Sequence, residues 1–331
     1  LLVPAQAFAH LVSDLPPAPI TVMSPAPTDA TALQVRGPQV NATVKLAAFP
    51  LDEFPAGMRF SAGEELLTLD AELLREIIEQ VAVAAATEES RPILQAVSVV
   101  FSQGQATFLA ANAFRLAYRS VPIPDQRLTA SLLIPASVLR QLARVLPSSG
   151  VVHLGRSHDG RSLLVQTREM ELSTRLMEGA FPLVDSLLAL PATTRVTLPT
   201  QDLRDALRFM ASFTHEKAHQ FRWTVEADAL LLEVDAPDLG TSDVRLTDGV
   251  SVSGPALLVW LNQRYLADAL DAVTTPQVQL DMSSERHPIT IKPVGPLDAR
   301  HIIMPLLPHP TPAVPQTPPV SQETPDTATS R

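Results

Sequence analysis

The sequence predicts an α+β protein assembled from tandem copies of one module whose sheets are antiparallel. Three observations lead there. The chain repeats itself: the stretch Leu2-Val3-Pro4-Ala5 through Asp14-Leu15-Pro16 is echoed by Leu133-Ile134-Pro135-Ala136 through Val145-Leu146-Pro147, 131 residues on. Each copy reads as one helix followed by about three short alternating runs, an order that gives antiparallel sheets rather than βαβ crossovers. Finally, 331 residues with 46% apolar and 18% charged side chains can fill large cores, which argues against global disorder. That length suits two domains or three small ones.

The elements follow in order. A helix opens after Pro4, where a missing amide hydrogen costs nothing. Strand-like alternation then runs to Phe54-Pro55, and Phe181-Pro182 repeats that landmark 127 residues on. A second element covers Leu67-Thr68-Leu69-Asp70 to Ile77-Ile78 and returns at Val196-Thr197-Leu198-Pro199 to Ala206-Leu207. The first element has a weaker third copy at Leu261–Leu270. Apolar residues recur at helical spacing: Val138, Leu139, Leu142, Val145 and Leu146 in one helix, Leu203, Ala206, Leu207 and Met210 in another. Between helices lie strand-like runs such as Leu163–Thr167 and Leu230–Val234, with turn signals such as Ser157-His158-Asp159-Gly160. A unit of this length suits tandem domains, not a solenoid. One element occurs three times and the other twice, so the expectation is three domains with the first half of domain one missing. The boundaries fall at 1–59, 60–187 and 188–308. Residues 309–331, rich in Pro, Thr and Ser, read as a disordered tail.

Composition excludes much chemistry. With no Cys, disulfides, Cys-zinc sites, iron–sulfur clusters and thiol catalysis are out. No apolar run approaches a membrane span, and no basic segment precedes the N-terminal apolar stretch, so the reading is a cytoplasmic protein without a signal peptide. Glycine-rich phosphate loops and a G-x-S-x-G nucleophile elbow are missing; Gly155-Arg156-Ser157-His158-Asp159 is a near miss in a hairpin turn. His215-Glu216-Lys217-Ala218-His219 does match H-E-x-x-H, which on a helix presents two imidazoles to zinc with Glu as base. It falls at the end of a long helical pattern, strand-like Phe221–Val225 follows at once, and no nearby downstream helix offers a third ligand. A loop at a helix end is therefore favoured, and a zinc hydrolase using His215, Glu216 and His219 is the minor alternative. No cofactor and no metal are expected.

The formal charge is −10, so a nucleic-acid surface has to be local. Arg140 and Arg144 are four apart on the polar side of one helix, Arg204 and Arg208 on that of another, and Arg264 takes the corresponding side in the third copy. They form either a solvated face or a sparse cationic lining that meets phosphates without reading bases. Glu72, Glu76 and Glu79 beside Arg75 dilute it.

Taken in order, several stretches resemble the bacterial sliding clamp, the beta subunit of DNA polymerase III. They are Arg91-Pro92-Ile93-Leu94, Leu109–Ala117, Ile134-Pro135-Ala136, Thr174–Pro182, Asn262 with Tyr265-Leu266, and His301-Ile302-Ile303-Met304-Pro305-Leu306. The resemblance spans residues 1–308. It implies tandem DNA-clamp domains, with sheets outside and helices lining the inner face of a head-to-tail homodimeric ring. Such a ring encircles double-stranded DNA without sequence preference and catalyses nothing. Implied partners are the replicative polymerase catalytic subunit, the clamp loader, and repair and translesion polymerases, which dock peptides in a cleft between the second and third domains. Carried over, the cleft walls are Leu94, Ala111, Phe114, Arg115, Leu116, Pro182, Leu187, Asn262, Tyr265, Ile302, Met304, Pro305 and Leu306. The DNA-facing set is Arg75, Arg91, Arg140, Arg144, Arg204, Arg208 and Arg264. The family usually has Asp-Gly-His-Arg-Leu where this chain has Asn112-Ala113-Phe114-Arg115-Leu116, which alters the cleft's shape. The alternative is a clamp-like paralogue that binds partner peptides without encircling DNA.

Overall fold

In a computed structural model the described residues are 2–15, 18–23, 32–36, 44–47, 60, 65–124, 128–211, 220–236 and 240–307. The chain divides into two units, Leu1–Ser61 and Ala62–Arg331. The first holds α1 (Ala5–Ser13), β1 (Thr21–Met23), β2 (Ala32–Arg36) and β3 (Val44–Ala47). The strands form an antiparallel meander, with Thr21 opposite Arg36 and Val35 opposite Val44. This is the helix-plus-three-strands unit expected from the repeat.

The second unit uses a longer module twice. The first copy runs β4 (Glu65–Asp70), α2 (Ala71–Ala82), a 3-10 turn at Pro92–Gln95, β5 (Ala96–Ser102), β6 (Gln105–Ala111), β7 (Arg115–Pro122), β8 (Ala130–Pro135), α3 (Ala136–Val145), β9 (Val151–Arg156), β10 (Ser162–Gln166) and β11 (Glu171–Arg175). A short helix, α4 (Asp185–Leu188), follows. The second copy runs β12 (Thr194–Pro199), α5 (Thr200–Ala211), β13 (Gln220–Val225), β14 (Leu230–Ala236), β15 (Gly240–Leu246), an added edge strand β16 (Ser251–Ser253), β17 (Leu257–Asn262), α6 (Gln263–Asp271), β18 (Gln277–Met282), β19 (Ile289–Pro293) and β20 (Ala299–Ile303).

Each module is two strand–helix–three-strand halves that exchange their first strand. Thus β4 pairs with β9 of the other half, and β8 with β5. The second copy repeats this with β12 on β18 and β17 on β13. The resulting sheets are β11-β10-β9-β4, β15-β14-β13-β17, and a nine-stranded β16-β12-β18-β19-β20-β7-β6-β5-β8. The long sheet exists because β20 of the second copy pairs antiparallel with β7 of the first, Ile302 opposite Leu116 and His301 opposite Ala117. The β5–β6 hairpin closes through Gln103 and Gly104, both at positive φ, the two-residue turn that matches strand twist.

The helices bury one stripe each. Leu74, Ile77, Ile78 and Val81 of α2 and Leu139 and Leu142 of α3 face one core with Phe101, Phe108 and Leu163. Leu203, Leu207 and Met210 of α5 and Leu266 and Leu270 of α6 face a second core around Trp223 and Phe221. Fully burying each such side chain contributes about 1.5–3 kcal/mol. Val145, placed on the apolar stripe by its spacing, is instead 57% exposed. The helix ends there, and Leu146, assigned to the same stripe, reaches the core from extended geometry with ψ 139. Phe54-Pro55, the motif with His215, Glu216 and His219, and the 309–331 tail lie outside the described residues.

Candidate functional site

The seam between β7 and β20 creates a site that neither module has alone. Side chains alternate across a sheet, so Leu109 and Ala111 of β6, Leu116 of β7 and Ile302 of β20 come together on one face. They form a small apolar cluster separate from both cores, partly covered by Tyr118, Phe181, Val184, Leu187 and Leu188. A groove of about 260 Å³ lies over it.

The rim is built by local hydrogen bonds. Asn112 Oδ1 accepts from the backbone N–H of Phe114 and Arg115 at 2.8 and 2.9 Å, which closes the β6–β7 turn and holds Phe114 out, 52% exposed. The Met304 N–H donates to the Phe114 carbonyl at 2.8 Å, and Leu306 N–H to the Trp260 carbonyl at 2.7 Å, so the chain beyond β20 is pinned beside the groove. The 181–188 segment supplies the opposite wall, with Leu183 92% exposed.

Arg115 ties the modules together. Its guanidinium pairs with Asp268 of α6 at 2.5 Å, donates to the Val83 carbonyl at the end of α2, and stacks 4.5 Å from the centre of the Tyr265 ring. On the helix side of the same seam, His301 is buried and its imidazole is pushed down to about 4, by burial first and by Arg115 second. Arg119 is buried nearby, and burial lowers its affinity for a proton against the pull of Glu76 and Asp298.

The groove is lined by Leu94, Ala111, Phe114, Arg115, Leu116, Pro182, Leu187, Ile302 and Met304 of the expected cleft set. Leu94, Leu116 and Ile302 are its buried floor. Asn262 instead caps α6, its Oδ1 accepting from Arg264 and Tyr265 N–H, and Tyr265 lies under Arg115. Pro305 and Leu306 follow the rim strand without lining the groove. Sequence reasoning missed Phe181, Leu183 and Val184. The apolar run after the Phe181-Pro182 landmark was the available signal.

The arginines divide. Arg75 donates to the carbonyls of Ala143, Leu146 and Pro147 at the end of α3. Arg204 does the same for Leu270 and Val273 at the end of α6. Arg140 donates to Ala82 at the end of α2. These three neutralise helix C-termini. Arg91, Arg144, Arg208 and Arg264 are exposed, Arg208 with Asp205 at 3.6 Å. Among the described residues no group of three His, Asp or Glu side chains is placed to hold a metal, and no helix is long and apolar enough to cross a membrane.

Comparison with known proteins agrees along most of the chain. The family model described as DNA polymerase III beta subunit, central domain, matches residues 68–183, and that of the C-terminal domain matches 186–307. A beta sliding clamp of Synechocystis is 25% identical over 322 residues, covering 92% of this chain and 82% of that protein. One from Streptococcus pneumoniae is 25% identical over 297 residues, covering 88% and 76%. The crystal structure of the DNA polymerase sliding clamp from Bacillus subtilis matches with a TM-score of 0.84 at 20% identity, covering 93% of this chain and 80% of that one.

Proposed function

Since this chain belongs to the family of the DNA polymerase III beta subunit, we propose that it works as a DNA sliding clamp: a ring that encircles duplex DNA and tethers a polymerase to it. The observation that carries this is the seam, where one module's last strand extends the preceding module's sheet. The same pairing rule, applied between chains, closes a ring. β15 takes the place in the second copy that β7 takes in the first, and among the described residues it ends its sheet. β3 takes the place of β20 in the first unit and, among the described residues, also ends its meander. Pairing β3 of one protomer with β15 of its partner gives a head-to-tail homodimer, a heterologous contact that closes.

In this reading 1–59 belongs to the first clamp domain, 60–187 is the second and 188–308 the third. The helices face the DNA, with Arg144 and Arg208 among the groups nearest the phosphates. Diffuse contacts suit sliding, because a contact that read bases would stop it. The protein holds DNA by topology and performs no chemistry itself. The −10 formal charge disfavours DNA on the outside of the ring. The seam groove is the docking cleft for peptides of the replicative polymerase, the clamp loader and repair polymerases. Its apolar floor and the adaptable Met304 suit a few apolar anchors. The compartment is the cytoplasm.

The test is loading onto circular and linear duplexes of equal length, by a clamp loader, followed by a wash at high salt. Retention on the circle and loss from the linear form are expected. Equal loss from both forms overturns the topological reading.

A further inference from the structure

The apolar groove opens sideways into a second cavity of about 670 Å³, and Arg91, Leu94, Asn112, Ala113, Phe114 and Arg115 line both. Positive charge grows across that boundary. Arg91 and Arg115 stand at it, and the larger cavity adds the guanidinium groups of Arg140 and Arg264, against the carboxylates of Glu88 and Asp268. Asp268 is already paired with Arg115. Arg140 gives one nitrogen to the Ala82 carbonyl. The side chains of Arg91 and Arg264 are exposed and make no ion pair or hydrogen bond with any described residue. In a chain of formal charge −10, this cavity is a concentrated positive patch.

We propose that this cavity receives an acidic stretch flanking the apolar anchors of the partner peptides, with carboxylates beside Arg91 and Arg264 and Arg140 behind them. The proposal rests on the reading of the groove as a peptide site and adds the partner's charge. Continuity favours a peptide over the phosphates of a duplex. The arginines surround a concavity that merges with an apolar floor behind Phe114, so one extended chain can place anchors in the groove and carboxylates in the cavity. Exposed pairs of this kind act mainly on selectivity and encounter. The general negative charge of the chain repels acidic peptides elsewhere and steers them to this mouth.

The experiment compares short labelled peptides that share the apolar anchors of a clamp-binding polymerase segment and differ in two flanking residues, Glu-Glu or Gln-Gln. Binding is read by fluorescence anisotropy to the full chain and to the R91Q/R264Q variant, whose altered side chains hold no described structural contact. The Glu peptide is expected to bind about five- to tenfold tighter at low salt. That ratio should fall below about twofold in the variant and at about 0.5 M salt. Equal binding of both peptides to the unaltered chain overturns the acidic flank and leaves the groove reading intact. Binding of neither peptide overturns both. A ratio that survives in the variant, while its retention on DNA weakens, assigns Arg91 and Arg264 to nucleic acid and also overturns the proposal.

Discussion

β11 and β20 are the same strand of two copies of one module, and among the described residues β20 alone of the two has a further strand on its outer edge. Each is a five-residue strand antiparallel to its predecessor. Among the described residues β11, Glu171-Leu172-Ser173-Thr174-Arg175, ends its sheet, and its side chains alternate between exposed and half-buried. β20, Ala299-Arg300-His301-Ile302-Ile303, has β7 on its far edge, and all but Arg300 are buried. That one pairing sets Ile302 against Leu116, links Met304 to Phe114 and removes His301 from water. The comparison teaches that the site is a property of the junction.

The largest test of this comparison is acid. The His301 imidazole titrates near 4 in the fold and near its ordinary 6.5 when unfolded, so the unfolded chain binds a proton that the fold refuses. Stability is therefore full above about pH 6.5 and falls as the pH drops toward 4, by up to about 3 kcal/mol from this group. Urea titrations between about pH 7 and pH 4 should show that slope in the unaltered chain and a much shallower one in His301→Leu. Ser173→Ala, at the matching strand in the first copy, should stay within about 0.5 kcal/mol at every pH. Equal slopes for the unaltered chain and His301→Leu would mean that the seam does not exclude water from the imidazole.

Much of this architecture was legible because the repeat carries it. Pro4, Pro135 and Asn262 each stand just before a helix, and the alternating runs at 163–167 and 230–234 correspond to β10 and β14. The groove floor was legible only through resemblance, since Leu116 and Ile302 are ordinary strand residues until the two modules join. The roles of the arginines were not legible at all. Spacing places Arg75, Arg140 and Arg204 on polar helix faces, but only the antiparallel neighbour shows that each reaches the carbonyl end of another helix. Val145 left the apolar stripe for a similar reason, because a helix period cannot foresee the residue at which the helix stops.

Those caps sharpen the comparison at an intermediate scale. Arg75 and Arg204 serve their modules in the same way, so Arg75→Ala and Arg204→Ala should each cost about 2 kcal/mol in denaturant unfolding, leaving half-buried carbonyls without a charged donor. They share no partner, so the double variant should lose the sum. Strongly unequal losses would show that the modules, alike in topology, are not alike in how they hold their helices. Arg140 makes a reciprocal bond to the end of α2.

The smallest expected effect concerns the arginines left free of such duties. Arg144 on α3 and Arg208 on α5 are exposed, so Arg144→Ala and Arg208→Ala should change stability by less than about 0.5 kcal/mol. Their effect should appear instead in the dependence of duplex binding on salt. A guanidinium that no longer meets its phosphate lowers the log–log salt slope by about one. Arg208 lies 3.6 Å from Asp205, which offsets part of its charge, so its slope change should be the smaller of the two. A slope untouched by the double variant would mean that α3 and α5 do not face phosphates in either copy. The cationic groups of these helices would then serve the fold, through the capping arginines, and not the DNA.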